Sequence, residues 1–234
     1  HYTYRFARRA AVEGLVVYDD PESILRCSNK VYLAELLERN NIPTPKTLVV
    51  HKDNIDEITK HFTFPLILKL PDSCFSQGVV KAKNQQELEE KSKAMLKESD
   101  LIIVQEFLPT DYDWRVGIMN GKAIYACKYY MASKHWQIVN NEKKGNTRFG
   151  KHETFLVKDA PQEIIEAALN AANLIGQGLY GVDLKEINGK PYIIEVNDNP
   201  SIDAGVEDMV LKDELYTQIM QVFLDKMQAA KAVK

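Results

Sequence analysis

The chain has 234 residues, 45% hydrophobic content and a formal net charge of −3. That length supports one large domain or two lobes with ample core, and the charge gives no bulk electrostatic case for binding nucleic acid. Cys27, Cys74 and Cys127 match neither a disulfide framework nor a CxxC zinc site, and no apolar run nears the ~20 residues a membrane span needs. No signal peptide is visible, and a cytoplasmic setting fits best. A start at His1 rather than Met reads as a fragment or a tagged chain.

Residues 1–28 carry Arg5, Arg8 and Arg9, most simply a solvated surface, then an apolar run at 15–18 that reads as a strand. Ser28 or Asn29 caps a helix to about Asn40, with Val31, Leu33, Leu36 and Leu37 on its buried side. Strands are expected at 47–50, 65–70, 79–82 and 101–106, with helices at 54–61 and 85–98. Asn120-Gly121 joins strands 112–119 and 122–131 in a hairpin. Residues 132–152 are polar and longer than an ordinary connection, as functional or mobile loops are. A helix at 161–176, a hairpin at 179–197 and a last helix at 207–227 complete the chain.

The closing hairpin holds the most informative residues. GVDLKEINGKPYIIEVNDNPS (181–201) places Asp183, Glu195 and Asn197 on two strands around Asn188-Gly189. A two-residue turn with a regular ladder would set Asp183 opposite Ile194, away from Glu195. A three-residue loop or a bulge shifts the parity. It gathers Val182, Leu184, Ile194 and Val196 in the core and leaves the three oxygen-bearing side chains, with Ile193, on the other face. The apolar pattern requires the same parity as a metal site, because a one-residue slip exchanges the faces. A three-residue or bulged turn is therefore expected. Such a face suits Mg²⁺ beside substrate phosphates; a solvated polar face of an antiparallel hairpin reads the same residues.

Upstream, Lys69 closes an apolar strand and is followed by Ser73–Gly78, which includes Ser76 and Gln77: a phosphate clamp, or a surface lysine beside a turn. Gln105-Glu106-Phe107-Leu108 leaves a buried strand with edge groups suited to an adenine, or is an ordinary strand end. Asp113 and Arg115 alternate on one strand face and Lys128 lies on the partner strand. These charges suit a polyphosphate, or form a cross-strand ion pair.

In this order the parts resemble the ATP-grasp superfamily, and within it the RimK-type glutamate-ligase-like carboxylate–amine ligases, over residues 22–228. The features are Lys30, Lys69 with Ser76-Gln77-Gly78, the 105–108 hinge, Asp113-Trp114-Arg115, and the D-x11-E-x-N spacing closed by Asn197-Asp198-Asn199-Pro200. The resemblance implies an α/β fold of the α+β type, with two lobes of largely antiparallel sheet and flanking helices gripping a nucleotide. Residues 29–228 would form the ATP-grasp domain, with a smaller lobe at about 46–108 and a larger one at about 109–228. Residues 1–28 would be the remnant of an upstream region, and the chain the C-terminal part of a longer RimK-like protein.

By position, the resemblance gives Lys30, Lys69 and Ser76–Gly78 to the ATP phosphates. It gives Gln105, Glu106, Phe107 and Leu108 to the adenine, with Asp113 as a further nucleotide contact. Asp183, Glu195 and Asn197 would hold one or two Mg²⁺ ions, with Mn²⁺ as the alternative. Arg115 and Lys128 would neutralise charge during transfer, and Arg148 or Asn140 would replace the compact basic and asparagine motif usual in the family. The implied partners are a small-molecule or peptide carboxylate and an amino-acid amine, joined through an acyl phosphate, with no nucleic acid and no membrane. A binding module without turnover and an ATP-grasp kinase are the competing readings.

Overall fold

The computed structural model describes residues 2–73, 78–140 and 149–232. The chain divides into two compact units, Ser28–Pro109 and a second made of His1–Cys27 with Thr110–Lys234.

The smaller unit begins with helix α3 (Lys30–Arg39), after α1 (Tyr2–Val12) and α2 (Pro21–Ser28) of the larger one. Asn29 caps α3: its side chain accepts the Tyr32 N–H at 3.0 Å, satisfying a donor that a helix start leaves open. A four-stranded antiparallel sheet follows in the order β1-β4-β2-β3, from β1 (Thr47–Val50), β2 (Leu66–Lys69), β3 (Val79–Ala82) and β4 (Ile102–Glu106). Leu66, Leu68, Val50, Ile102, Val104 and Ala82 turn one face towards Ile58 and Phe62, from and just beyond α4 (Ile58–His61), and towards Leu88 and Met95 of α5 (Gln85–Met95). Alternation leaves Thr47, Ile67, Lys69, Val79, Lys81, Ile103 and Gln105 on the other face.

The larger unit is built on a five-stranded antiparallel sheet, β7-β6-β5-β8-β9. Its strands are β5 (Tyr112–Met119), β6 (Lys122–Tyr130), β7 (His152–Phe155), β8 (Leu179–Ile187) and β9 (Lys190–Asp198). Helix α6 (Gln162–Ile175) packs its stripe of Ile164, Ile165, Ala168, Ala171, Ala172 and Ile175 over one face. On the other, Leu215 and Ile219 of α7 (Asp213–Ala232) join Met119, Tyr125 and Cys127 in a second cluster.

Both long hairpins turn on Asn-Gly with positive φ at each residue, 50° and 72° at Asn120-Gly121 and 52° and 76° at Asn188-Gly189. That is the two-residue type I′ turn, which suits the strand twist. Each hairpin then carries a bulge. In β8–β9 the ladder is regular from Ile187↔Lys190 to Leu184↔Ile193, and the next pair is Asp183↔Glu195, so Ile194 is the extra residue. The parity shift expected for this hairpin is present, but it lies within β9 and not in the turn. Ile193 is consequently buried in the core opposite Leu184, and Ile194 is half-buried, the reverse of their expected places.

Other differences concern the ends of the chain. Residues 15–18 form no strand; α1 precedes them, with Ala7 as its buried residue. The last helix starts at Asp213 after a run of turns from residue 204. Among the described residues, no helix is long and apolar enough to cross a membrane.

Candidate active site

On the smaller unit, α3 is tied to the segment leaving β2. The Lys30 N–H donates to the Pro71 carbonyl at 3.1 Å, the Lys30 ammonium donates to the Ser73 carbonyl, and Asn29 Nδ2 reaches Asp72 at 3.3 Å. Lys30 therefore stands beside the segment that leaves β2. Ser76 and Gln77 lie outside the described residues; the Gly78 carbonyl accepts the Leu70 N–H at 2.9 Å. Lys69 shares its sheet face with Lys81 and Gln105. Lys81 sits 4.3 Å from the Phe107 ring centroid, and burial followed by Lys83 lowers its pKa. Gln105 is buried and donates to Thr47 Oγ1 at 2.9 Å, whereas the Glu106 carboxylate accepts the Lys46 N–H at 2.7 Å. The 105–108 segment is thus anchored at Gln105 to Thr47 of β1 and at Glu106 to Lys46 just before it.

On the larger unit, the β8–β9 bulge brings Asp183 and Glu195 side by side, with Asn197 on the next rung opposite Gly181. Arg115, opposite Asp183 on β5, donates to both carboxylate oxygens: Nε to Oδ1 at 2.7 Å and Nη2 to Oδ2 at 2.9 Å. Asn197 Nδ2 adds a bond to Asp183 Oδ2 at 3.0 Å and one to the Gly181 carbonyl at 3.2 Å. Position 181 has to be glycine here, since a Cβ would come within 2.7 Å of Pro200. Desolvation opposes the Arg115 charge, yet Asp183 outweighs it and holds the guanidinium above its ordinary pKa.

Asp113, two residues before Arg115 on the same face, pairs with Lys185 at 2.6 Å and accepts from Thr110 Oγ1 at 3.0 Å. Burial raises its pKa despite the lysine. At the open end of the hairpin, Asp19 accepts the N–H groups of Leu179 and Asn199 at 2.6 and 2.7 Å. Burial pushes its carboxyl up to about 6 against those two bonds, with Asp198 and Asp20 adding to the rise.

Lys128 is not brought to this face. A regular β5–β6 ladder from the Asn-Gly turn would set it opposite Asp113, but a bulge between Gly117 and Ile118 makes Ile124 the extra residue and sets Lys128 opposite Trp114. Its ammonium lies 4.3, 4.7 and 5.5 Å from the rings of Tyr112, Trp114 and Phe155. Glu186 completes that corner, accepting from Trp114 Nε1 at 2.9 Å and Tyr112 Oη at 3.1 Å. Arg148 lies outside the described residues. Asn140 is buried beside the Val139↔Phe149 bridge.

Sequence reasoning passed over Lys81, Lys185, Tyr129 and Glu207. Lys185 was findable by period-2 spacing from Asp183, whereas Lys81 needed the β2–β3 register that pairs it with Ile67. Tyr129 shares the Arg115 face only because of the β6 bulge, and Glu207 follows β9 in a turn with no periodicity to read.

The two antiparallel sheets with flanking helices define the ATP-grasp fold. Crystal structures of a D-alanine–D-alanine ligase from Bacillus anthracis superpose with TM-scores of 0.76 and, for the form complexed with ATP, 0.74. The chain is 17% identical to both, with 97% of it and 77% of the neighbour covered in the first case, and 98% and 76% in the second. The model of the RimK-like ATP-grasp domain matches residues 27–223, and the chain belongs to that family. It is 28% identical over 194 residues to the alpha-aminoadipate–LysW ligase LysX of Saccharolobus solfataricus, covering 80% of this chain and 67% of the relative. It is 29% identical over 216 residues to a protein of Vibrio vulnificus named probable alpha-L-glutamate ligase, covering 91% and 68%.

Proposed function

We infer that this chain joins a carboxylate to an amine at the expense of ATP, through an acyl phosphate. The observation that carries the reading is the Asp183–Glu195 pair, set on one face by a bulge and bracketed by Arg115 and Asn197. In this reading Lys30 and Lys69 contact the ATP phosphates, the 105–108 segment contacts the adenine and Asp113 the nucleotide. Asp183, Glu195 and Asn197 fit Mg²⁺ by chemistry, being hard oxygen donors on adjacent rungs. The described residues contain no group of three or more His, Cys, Asp and Glu able to hold a metal. Two carboxylates and an amide suit an ion that keeps phosphate oxygens and waters as its other ligands. Mg²⁺, when bound, neutralises phosphate charge.

The chain's own part in phosphoryl transfer is positioning and charge stabilisation. Arg115 lies mostly buried, where each charge interaction is stronger than in water. No nucleophilic side chain is required. Cys127 is buried, and burial raises its thiol pKa, which suits a structural cysteine. The acceptor is an amino acid or a peptide carboxylate, and the amine that of an amino acid such as glutamate. The test is ADP release with Mg²⁺ across a panel of acidic peptides and amino acids. ADP that forms only with acid and amine together supports the ligase. A persisting phosphorylated product, or ATP binding without ADP under every condition, overturns it.

A further inference from the structure

Arg115 is fixed along one edge by Asp183, and a second set of contacts acts on its face. The β6 bulge sets Cys127 opposite Arg115 and Tyr129 opposite Asp113, so the Tyr129 side chain lies diagonally beside the guanidinium. The Tyr129 ring centroid is 5.4 Å from Arg115 Cζ, within cation–π range. The Tyr129 hydroxyl donates to the Glu207 carboxylate, and the other Glu207 oxygen accepts the Asp203 N–H at 2.8 Å. The turn carrying Glu207 is held to β7: Thr154 Oγ1 donates to the Val206 carbonyl at 2.7 Å, and His152 Nε2 meets the Gly205 carbonyl at 3.1 Å.

Glu207 is only 2% exposed. A buried carboxylate is costly unless a cation or strong donors balance it. Glu207 accepts from a phenol and a backbone N–H, which a glutamine oxygen could also accept. The charge itself has a distinct effect. A carboxylate accepting the phenolic hydrogen bond enriches the ring in electrons, and the ring's other neighbour is the Arg115 cation. Burial, followed by Glu207 after an opposing contribution from Arg115, raises the Tyr129 pKa and keeps the phenol neutral.

We propose that Tyr129 and Glu207 are positioning residues for Arg115, with the Glu207-bound Tyr129 ring fixing the plane of the guanidinium that Asp183 holds by its edge. The proposal rests on the role given to Arg115 in phosphoryl transfer. Neither residue need touch a substrate. Such transfer is sensitive to displacements of about 1 Å, which can cost about 100-fold in rate.

The test uses the whole chain and the acid–amine pair that gives ADP. Tyr129→Leu removes the ring and should lower kcat about 30-fold while moving the KM for ATP less than about threefold. Tyr129→Phe and Glu207→Gln keep the ring and should each lower kcat about fivefold, and their combination should be no worse than either alone, since both cut one link. In an Arg115→Ala background, Tyr129→Leu should add nothing. A second readout needs no turnover: hydrogen exchange at the Arg115 Nε–H, followed by ¹⁵N-arginine NMR and assigned by its loss in Arg115→Lys. Exchange should quicken at least about tenfold in Tyr129→Leu, and Tyr129→Phe should restore most of the protection. A kcat within twofold of the parent, unchanged exchange, or an equal loss in the Arg115→Ala background overturns the proposal. If the parent chain forms no ADP with any pair, the ligase reading fails, and exchange alone decides whether Tyr129 and Glu207 hold Arg115.

Discussion

The hairpins β5–β6 and β8–β9 share a turn and differ in where they break. Each starts from an Asn-Gly type I′ turn, and each takes one extra residue in its second strand. In β5–β6 the bulge follows the second pair, at Ile124. In β8–β9 it follows the fourth, at Ile194. The second bulge rotates Glu195 and Asn197 to the side of Asp183. The first rotates Cys127 and Tyr129 to the side of Arg115 and sends Lys128 to the other face. A bulge thus acts as a selector of side chains: one residue of slip decides which charges meet.

The largest effects should fall on the face that the β9 bulge assembles. Glu195→Gln should drop ADP release by at least about 1000-fold while changing unfolding free energy by less than about 0.5 kcal/mol. Asp183→Ala should abolish release and also lose about 3 kcal/mol of stability, because it leaves a mostly buried Arg115 without its carboxylate. Urea melts beside the ADP assay separate the two. Equal stability losses would mean that Glu195 is as structural as Asp183.

The same hairpin is closed at its open end by Asp19. This acid has a folded pKa near 6, raised from an ordinary 3.8. Between those values the folded state holds the proton more tightly than the unfolded state. Its contribution to stability is therefore full below about pH 4 and is lost as pH rises through about 6, by about 3 kcal/mol. Asp19→Asn should flatten that window in urea titrations from pH 4 to 7, at the cost of one acceptor for two backbone N–H groups. An unchanged slope would mean that the Asp19 carboxyl is not the titrating group.

On the far face of β5–β6, Lys128→Met should keep ADP release within about twofold and cost about 1.5 kcal/mol of stability, the scale of a partly desolvated cation among aromatic rings. A 100-fold loss of turnover with no loss of stability would place Lys128 in the reaction and undo the contrast between the hairpins.

How far the site was legible depended on what forced each bulge. In β8–β9, Val182, Leu184 and Val196 are apolar and Asp183, Glu195 and Asn197 are polar, so only one parity buries the first set. That made the shared face readable, though not that Ile194 was the extra residue. In β5–β6, the run of Ala123, Ile124, Tyr125, Ala126 and Cys127 tolerates either parity, so the sequence placed Lys128 on the partner strand without fixing which face it takes. The strands of the smaller sheet were legible because they are short apolar runs between turn residues. Helix α1 was not, and its large apolar residues Tyr2 and Phe6 are exposed in the fold, with Ala7 as its buried residue. Glu207 depends on tertiary burial of a turn, which no local pattern encodes.

The smallest effect should come from the turns, which the two hairpins share. Gly189 has φ of 76° and nothing within 4 Å of where a Cβ would stand, whereas at Gly121 a Cβ would meet Gln177 Oε1 at 3.2 Å. Gly189→Ala therefore meets only the backbone penalty of the left-handed region, about 1 kcal/mol. Gly121→Ala meets that penalty and must also displace a side chain. Neither should change the rate of ADP release by more than about twofold, because the register is re-set by the bulges after the turns. Unfolding midpoints and ADP release for the two variants test this together. If Gly189→Ala instead removed turnover at near-parental stability, the pairing of Asp183 with Glu195 would depend on the turn and not on Ile194.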